Sequence, residues 1–160
     1  MGSTETIILV LLISGALFYY MYQRHKKLVD SGKVIDRERN FVEKAEDFIL
    51  TLEAPAQVAE RLQSLPYSEM KASMRSEGSG QTFLFTGSTW SAKLYRKNDD
   101  TRKAVYSFQY LNWKTHNGGI MYEDHMNMLL TSIEKMFLSI DPNTQVKTRL
   151  LETKTSHKFF

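Results

Sequence analysis

The chain has 160 residues, enough for one folded core plus a terminal anchor and too few for two ordinary domains with separate cores. It has no cysteine, which excludes a disulfide framework, a zinc–thiolate centre and a cysteine nucleophile. The net charge of +3 is small and gathers between residues 24 and 44; the remainder is near balance, which argues against the basic stripe that nucleic-acid binding needs.

The first element is the apolar run TIILVLLISGALFYYMYQ, Thr6 to Gln23, which carries no formal charge. As a helix it spans roughly 27 Å at about 1.5 Å per residue, close to the hydrocarbon thickness of a bilayer. Tyr19, Tyr20 and Tyr22 stand at one end, where a ring can sit among headgroups with its hydroxyl wet. A cleaved secretory signal fits less well, because no basic residue precedes the run and no small-residue cleavage site follows it. Arg24, Lys26 and Lys27 follow at once, whereas residues 1–5 hold no Lys or Arg, so the positive-inside rule predicts a cytoplasmic carboxyl-terminal side. The sequence thus predicts a short non-cytoplasmic terminus at 1–5, a transmembrane helix at 6–23, a basic juxtamembrane spacer at 24–45, an α+β domain at 46–150 and a tail at 151–160.

Within the domain, Phe48, Leu50 and Leu52 alternate with Ile49, Thr51 and Glu53, the period of a strand. Pro55 suits a first helical turn, and Val58, Ala59, Leu62 and Leu65 make a stripe that Pro66 stops, predicting a helix over 55–65. Four strands follow, separated by turn residues: SEMKASMRS with Met70, Ala72 and Met74 on one face, QTFLFTG, TWSAKLYRK, and KAVYSFQYLNWK. In the last, Ala104, Tyr106, Phe108 and Tyr110 share one face, and Val105, Ser107, Gln109, Leu111 and Trp113 the other. From Ile120 to Ile140 the period becomes helical, with Met126, Leu129, Leu130, Ile133, Met136, Phe137 and Ile140 inward and Asn127, Thr131 and Glu134 among the residues expected on the wet side. TQVKTRLLETKT is a candidate final strand.

The predicted class is α+β, an antiparallel sheet packed on two helices in the order β-α-β-β-β-β-α(-β). That order over residues 46–140 resembles the TBP-like and helix-grip folds, in which an antiparallel sheet wraps a long carboxyl-terminal helix; the resemblance implies a topology and no function. Helix-grip proteins often bind apolar ligands between sheet and helix, but the shortness of this domain favours a filled core.

Chemistry is sparse. His116, Glu123, Asp124 and His125 are near one another in sequence, but successive helix residues diverge by about 100° and no paired-histidine spacing is present. No nucleophile elbow, P-loop or dinucleotide motif occurs, and neither a metal nor a cofactor is predicted. His157 belongs to the tail. The aromatic strands offer a candidate protein-binding face in Val105, Leu111 and Trp113, and Lys93, Arg96, Lys97, Arg102 and Lys103 could meet acidic lipid or protein. The expected function is a single-pass membrane protein with a cytoplasmic, non-catalytic interaction or ligand-binding domain, its partners being membrane lipid and a protein rather than nucleic acid. The competing expectations are a membrane-bound enzyme using a sheet–helix cleft and an extracytoplasmic accessory domain.

Overall fold

The computed structural model describes residues 3–78, 80–97, 104–151 and 158–159. The chain divides into two compact units, Met1–Asp36 and Arg37–Phe160.

The first unit is one helix, α1, over Ser3–Asp30, longer at its carboxyl end than the apolar run. None of its most apolar window is buried, and the helix is long and apolar enough to cross a membrane. The Ser31-Gly32 pair that punctuates the spacer is its cap. Gly32 takes φ 69°, its amide bonds the Val29 carbonyl at 2.8 Å, and the Lys33 amide bonds the Leu28 carbonyl at 3.0 Å. These two bonds form a Schellman motif, which satisfies carbonyls the helix end would otherwise leave open and favours glycine at the left-handed position.

The second unit is α+β. A 3₁₀ turn at Arg39–Glu43 leads into β1 (Lys44–Leu50), α2 (Pro55–Gln63), β2 (Ser73–Glu77), β3 (Thr82–Thr86), β4 (Trp90–Lys97), β5 (Ala104–His116), β6 (Gly119–Ile120), α3 (Glu123–Ile140), β7 (Gln145–Leu150) and β8 (Lys158–Phe159). The main sheet runs β2-β3-β4-β5-β1-β7, antiparallel at every step, with β6 and β8 added to β5. The candidate final strand is therefore real in β7, which closes the edge beside β1.

Both helices of this unit lie on one face of the sheet. Phe137 of α3 stacks on Phe48 with ring centroids 4.6 Å apart and tilts against Tyr106 at 5.2 Å, while Tyr110 meets Phe108 edge-on at 5.1 Å and Trp90 at 6.1 Å. The fully buried Tyr110 hydroxyl donates to the Met126 carbonyl at 2.6 Å, tying the middle of β5 to α3. Val58 and Leu62 of α2 are buried, and Tyr67, just beyond α2, brings its ring toward Phe85 and its hydroxyl to the Leu62 carbonyl at 2.5 Å. Rings thus occupy the space between sheet and helices, where offset and edge-on contacts add to the apolar area they bury.

Several predicted bounds move for local reasons. The second helix stops at Gln63, because the Ser64 hydroxyl and amide both turn back to the Arg61 carbonyl. Met70 is buried as expected, yet it reaches the core from a turn rather than a strand: the Ala72 amide closes on the Tyr67 carbonyl, Lys71 takes φ 48°, and β2 begins only at Ser73. Leu52 lies past the end of β1 and is exposed. Thr115-His116-Asn117-Gly118-Gly119-Ile120 is a hairpin, with Asn117 and Gly118 at φ 49° and 77°, so β6 occupies the start of the expected helix. Paired positive φ values are what a two-residue hairpin turn demands and what Asn-Gly supplies.

Candidate functional site

The face of the sheet away from α2 and α3 is the surface these helices leave open. The registers place on it Ala45, Asp47 and Ile49 of β1, Gln145, Lys147 and Arg149 of β7, Val105, Ser107 and Gln109 of β5, and Lys93, Tyr95 and Lys97 of β4. Arg75 and Glu77 of β2 and Leu84 of β3 continue it. Asp47 is its electrostatic centre. Lys97 Nζ lies 2.6 Å and Arg149 Nε 3.4 Å from Asp47 Oδ2, and the Arg149 guanidinium also donates to Ser107 Oγ at 3.2 Å. Burial pushes the Asp47 carboxyl up, but hydrogen bonds from Lys97 and Ser107 and the Lys97 and Arg149 charges outweigh it, so it sits below the usual aspartate value. Arg75 pairs with Glu77 at 2.9 Å, and Lys93 Nζ stands 4.6 Å above the Tyr95 ring centre.

The expected binding residues do not share this face. Val105 lies on it but is buried, and Leu111 is half-buried. Trp113 belongs to the core side, a correction to the strict alternation expected for β5. Ala92 pairs with Tyr110, Ser91 with Asn112 and Trp90 with Trp113, so Leu111 is an extra residue without a partner on β4. This bulge reverses the parity of every later residue in the strand. Trp113 therefore follows Trp90 onto the face of Ala92 and Leu94 and is 3 % exposed. Gly87 is bound to this arrangement: a methyl group built on it would stand 2.2 Å from the Trp90 ring. An open groove of about 530 Å³ lies at the same end of the sheet, walled by the Thr86–Ser91 hairpin and Asn112, Trp113 and Lys114.

A second polar feature escaped the sequence reading. Arg37 is 10 % exposed at its side chain and donates to Asn127 Oδ1 at 2.8 Å, to Thr131 Oγ1 at 2.9 Å and to Glu134, with Glu46 3.6 Å away. Asn127 and Thr131, expected on the wet side of α3, are buried. Burial raises the Glu46 carboxyl above its usual value against the pull of Arg37, with Glu134 pushing the same way as burial. The signal was available as a polar stripe at spacings of four and three, Asn127-Thr131-Glu134, crossing an otherwise apolar helix face. At the other end of α3, Asp141 accepts from the Thr51 amide at 2.6 Å and hydroxyl at 2.7 Å, and these bonds hold its carboxyl low.

The remaining expected site residues lie as follows. Tyr19, Tyr20, Tyr22, Arg24, Lys26 and Lys27 all lie on α1 and are exposed. His125 is buried with its ring 5.7 Å from Tyr122, whereas His116 is exposed at the hairpin. Among the described residues no group of three or more His, Asp or Glu side chains is placed to hold a metal. Arg102, Lys103 and His157 fall outside the described residues.

No protein-family model matches this chain, and neither a curated protein nor a solved structure does.

Proposed function

We propose that this is a single-pass membrane protein with its amino terminus outside and its α+β unit in the cytoplasm, acting there as a non-catalytic interaction module. The observation that carries the reading is the junction on α1. An uncharged apolar stretch exposed along its length gives way, on the same helix, to Arg24, Lys26 and Lys27, while residues 1–5 hold no Lys or Arg. Basic residues flanking a span resist translocation, and tyrosines at that end suit the headgroup region. Tethering raises the effective concentration of the domain toward partners in the same membrane without any new contact. The rings between sheet and α3 support an interaction module over a sheet–helix cleft enzyme.

Protease added to intact cells tests the topology through an epitope placed after Phe160. Protection of the epitope until the membrane is permeabilised is the expected result, and its loss from intact cells would reverse the orientation. Changing Arg24, Lys26 and Lys27 together to Gln should yield a mixed population.

A further inference from the structure

The two sides of the α+β unit differ in charge. The open sheet face carries Arg75, Lys93, Lys97, Lys147 and Arg149 against Asp47 and Glu77. The helical side is near balance: Glu60, Glu69, Glu123 and Asp124 stand against Arg61, Lys71 and Lys135 on the helices and the turn after α2, and Lys44 and Arg96 of the sheet share that side with Glu46 and Glu134 beside Arg37. Part of the positive face is internally neutralised by the Lys97–Asp47–Arg149 and Arg75–Glu77 pairs. Lys93 and Lys147 are its excess: Lys93 rides on the Tyr95 ring, and Lys147 is exposed across the ladder from Asp47.

The apolar content of this face discriminates between two classes of partner. Among the described residues of this unit the exposed large apolar side chains are Leu52, Tyr122, Leu138, Val146 and Leu150, and none of these lies on the open face. Val146 and Leu150 alternate onto the other side of β7, in register with Phe48 and Lys44. A stable protein interface is built around desolvated apolar or aromatic anchors and is depleted in lysine. A broad antiparallel sheet displaying Lys and Arg above half-buried Leu84 and Tyr95 has the opposite composition, which suits a diffuse array of negative headgroups.

We propose that the open sheet face docks on an anionic lipid bilayer, the surface to which α1 would tether the unit, so that the nearly charge-balanced helical side faces the solvent. The inference rests on the anchor reading of α1, and the two fail differently: a chain without an anchor does not enter lipid discs, whereas a chain without this face enters them and does not dock. Each basic group near an anionic surface contributes about 1 kcal/mol, so neutralising Lys93 and Lys147 lowers the ratio of docked to undocked domain roughly 30-fold.

The full chain, reconstituted in nanodiscs of phosphatidylcholine alone or mixed with phosphatidylserine, tests this. The sequence holds no cysteine, so Gln145→Cys on the open face and Gln57→Cys on α2 each give a unique attachment point for a fluorophore. Spin-labelled lipid should quench the dye at position 145 in the anionic discs at low salt, with quenching lost on adding salt or in the Lys93→Gln/Lys147→Gln variant. The dye at position 57 should be quenched no more in anionic discs than in neutral ones. Equal quenching at position 145 in neutral and anionic discs overturns the proposal. A response to soluble polyglutamate but not to anionic lipid also overturns it, and assigns the face to an acidic protein.

Discussion

Replacing Arg37 by Met leaves Glu46 and Glu134 facing each other across the space the guanidinium occupied. Arg37 and Glu46 are 10 % and 11 % exposed at their side chains, and Glu134 21 %. Removing one partner of a buried pair costs about 3–5 kcal/mol; partial exposure of Glu134 places this site toward the lower figure, about 3 kcal/mol. An unfolding entropy of about 2.1 cal/mol/K per residue over the Arg37–Phe160 unit converts that to a fall of roughly 12 °C in Tm. Arg37→Lys keeps the charge but loses the fork that reaches Asn127, Thr131 and Glu134 together, and should fall between the two. In Arg37→Met/Glu46→Gln the more deeply buried of the two orphaned carboxylates is gone and Glu134 no longer faces a like charge, so at least half the loss should return. The chain's two tryptophans, Trp90 and Trp113, are both in this core, so fluorescence melts of the full chain in detergent report on this unit without a tryptophan signal from α1. A Tm within about 3 °C of the parent for Arg37→Met, or a double variant no better than the single, would refute the reasoning.

Other perturbations have equally definite signs. Gly87→Ala drives a methyl group against the Trp90 ring and should cost about 2–3 kcal/mol, read by urea unfolding, with Trp90→Leu in the same chain relieving part of it. Lys71 is exposed at φ 48°, so Lys71→Gly should raise stability by about 0.5–1 kcal/mol; a loss of stability would show that the left-handed turn is not strained. The dependence on pH should not be monotonic. Glu46 is raised in the fold, so its stabilisation is complete below its unfolded value near 4.5 and is lost as pH rises through the folded value. Asp47 and Asp141 are lowered, so theirs is present above 3.8 and lost as pH falls through their folded values. Urea midpoints should therefore rise on mild acidification from neutrality and collapse in stronger acid, and Glu46→Gln should abolish the rise while leaving the collapse.

The class, the element order and most of the core were legible in the chain because each rests on a local period. β1, α2 and α3 each announce themselves by alternation or by spacings of three and four, and Phe48, Tyr106, Phe108, Tyr110 and Phe137 all reach the core the pattern assigns them. What escaped depends on events the periods do not encode. Met70 is apolar and buried, but a turn with Lys71 in a left-handed conformation delivers it, so burial alone mimicked a strand. Asn127 and Thr131 looked solvated because polar residues on a helix usually are, and the long-range partner that helps to satisfy them in the core, Arg37, lies about 90 positions away in the sequence. The Val105, Leu111 and Trp113 face failed because alternation presumes a ladder without an extra residue. The open basic face lay half hidden, since its members come from separate strands and share no stretch of sequence.

Leu111 makes β5 two consecutive strands that happen to share a backbone. Up to Tyr110 even-numbered residues face the helices; past the bulge, odd-numbered Trp113 does. A chain built on the same sheet without the extra residue would need its tryptophan one place earlier, and its polar surface residues would move with it. Comparison of such chains position by position, with no gap opened at 111, would align core with surface from there to His116. A one-residue deletion at Leu111 would leave Trp113 on the core side, since Asn112 would then follow Tyr110 in simple alternation; a strand that kept every residue but lost the bulge would instead exchange the buried indole for the exposed amide of Asn112.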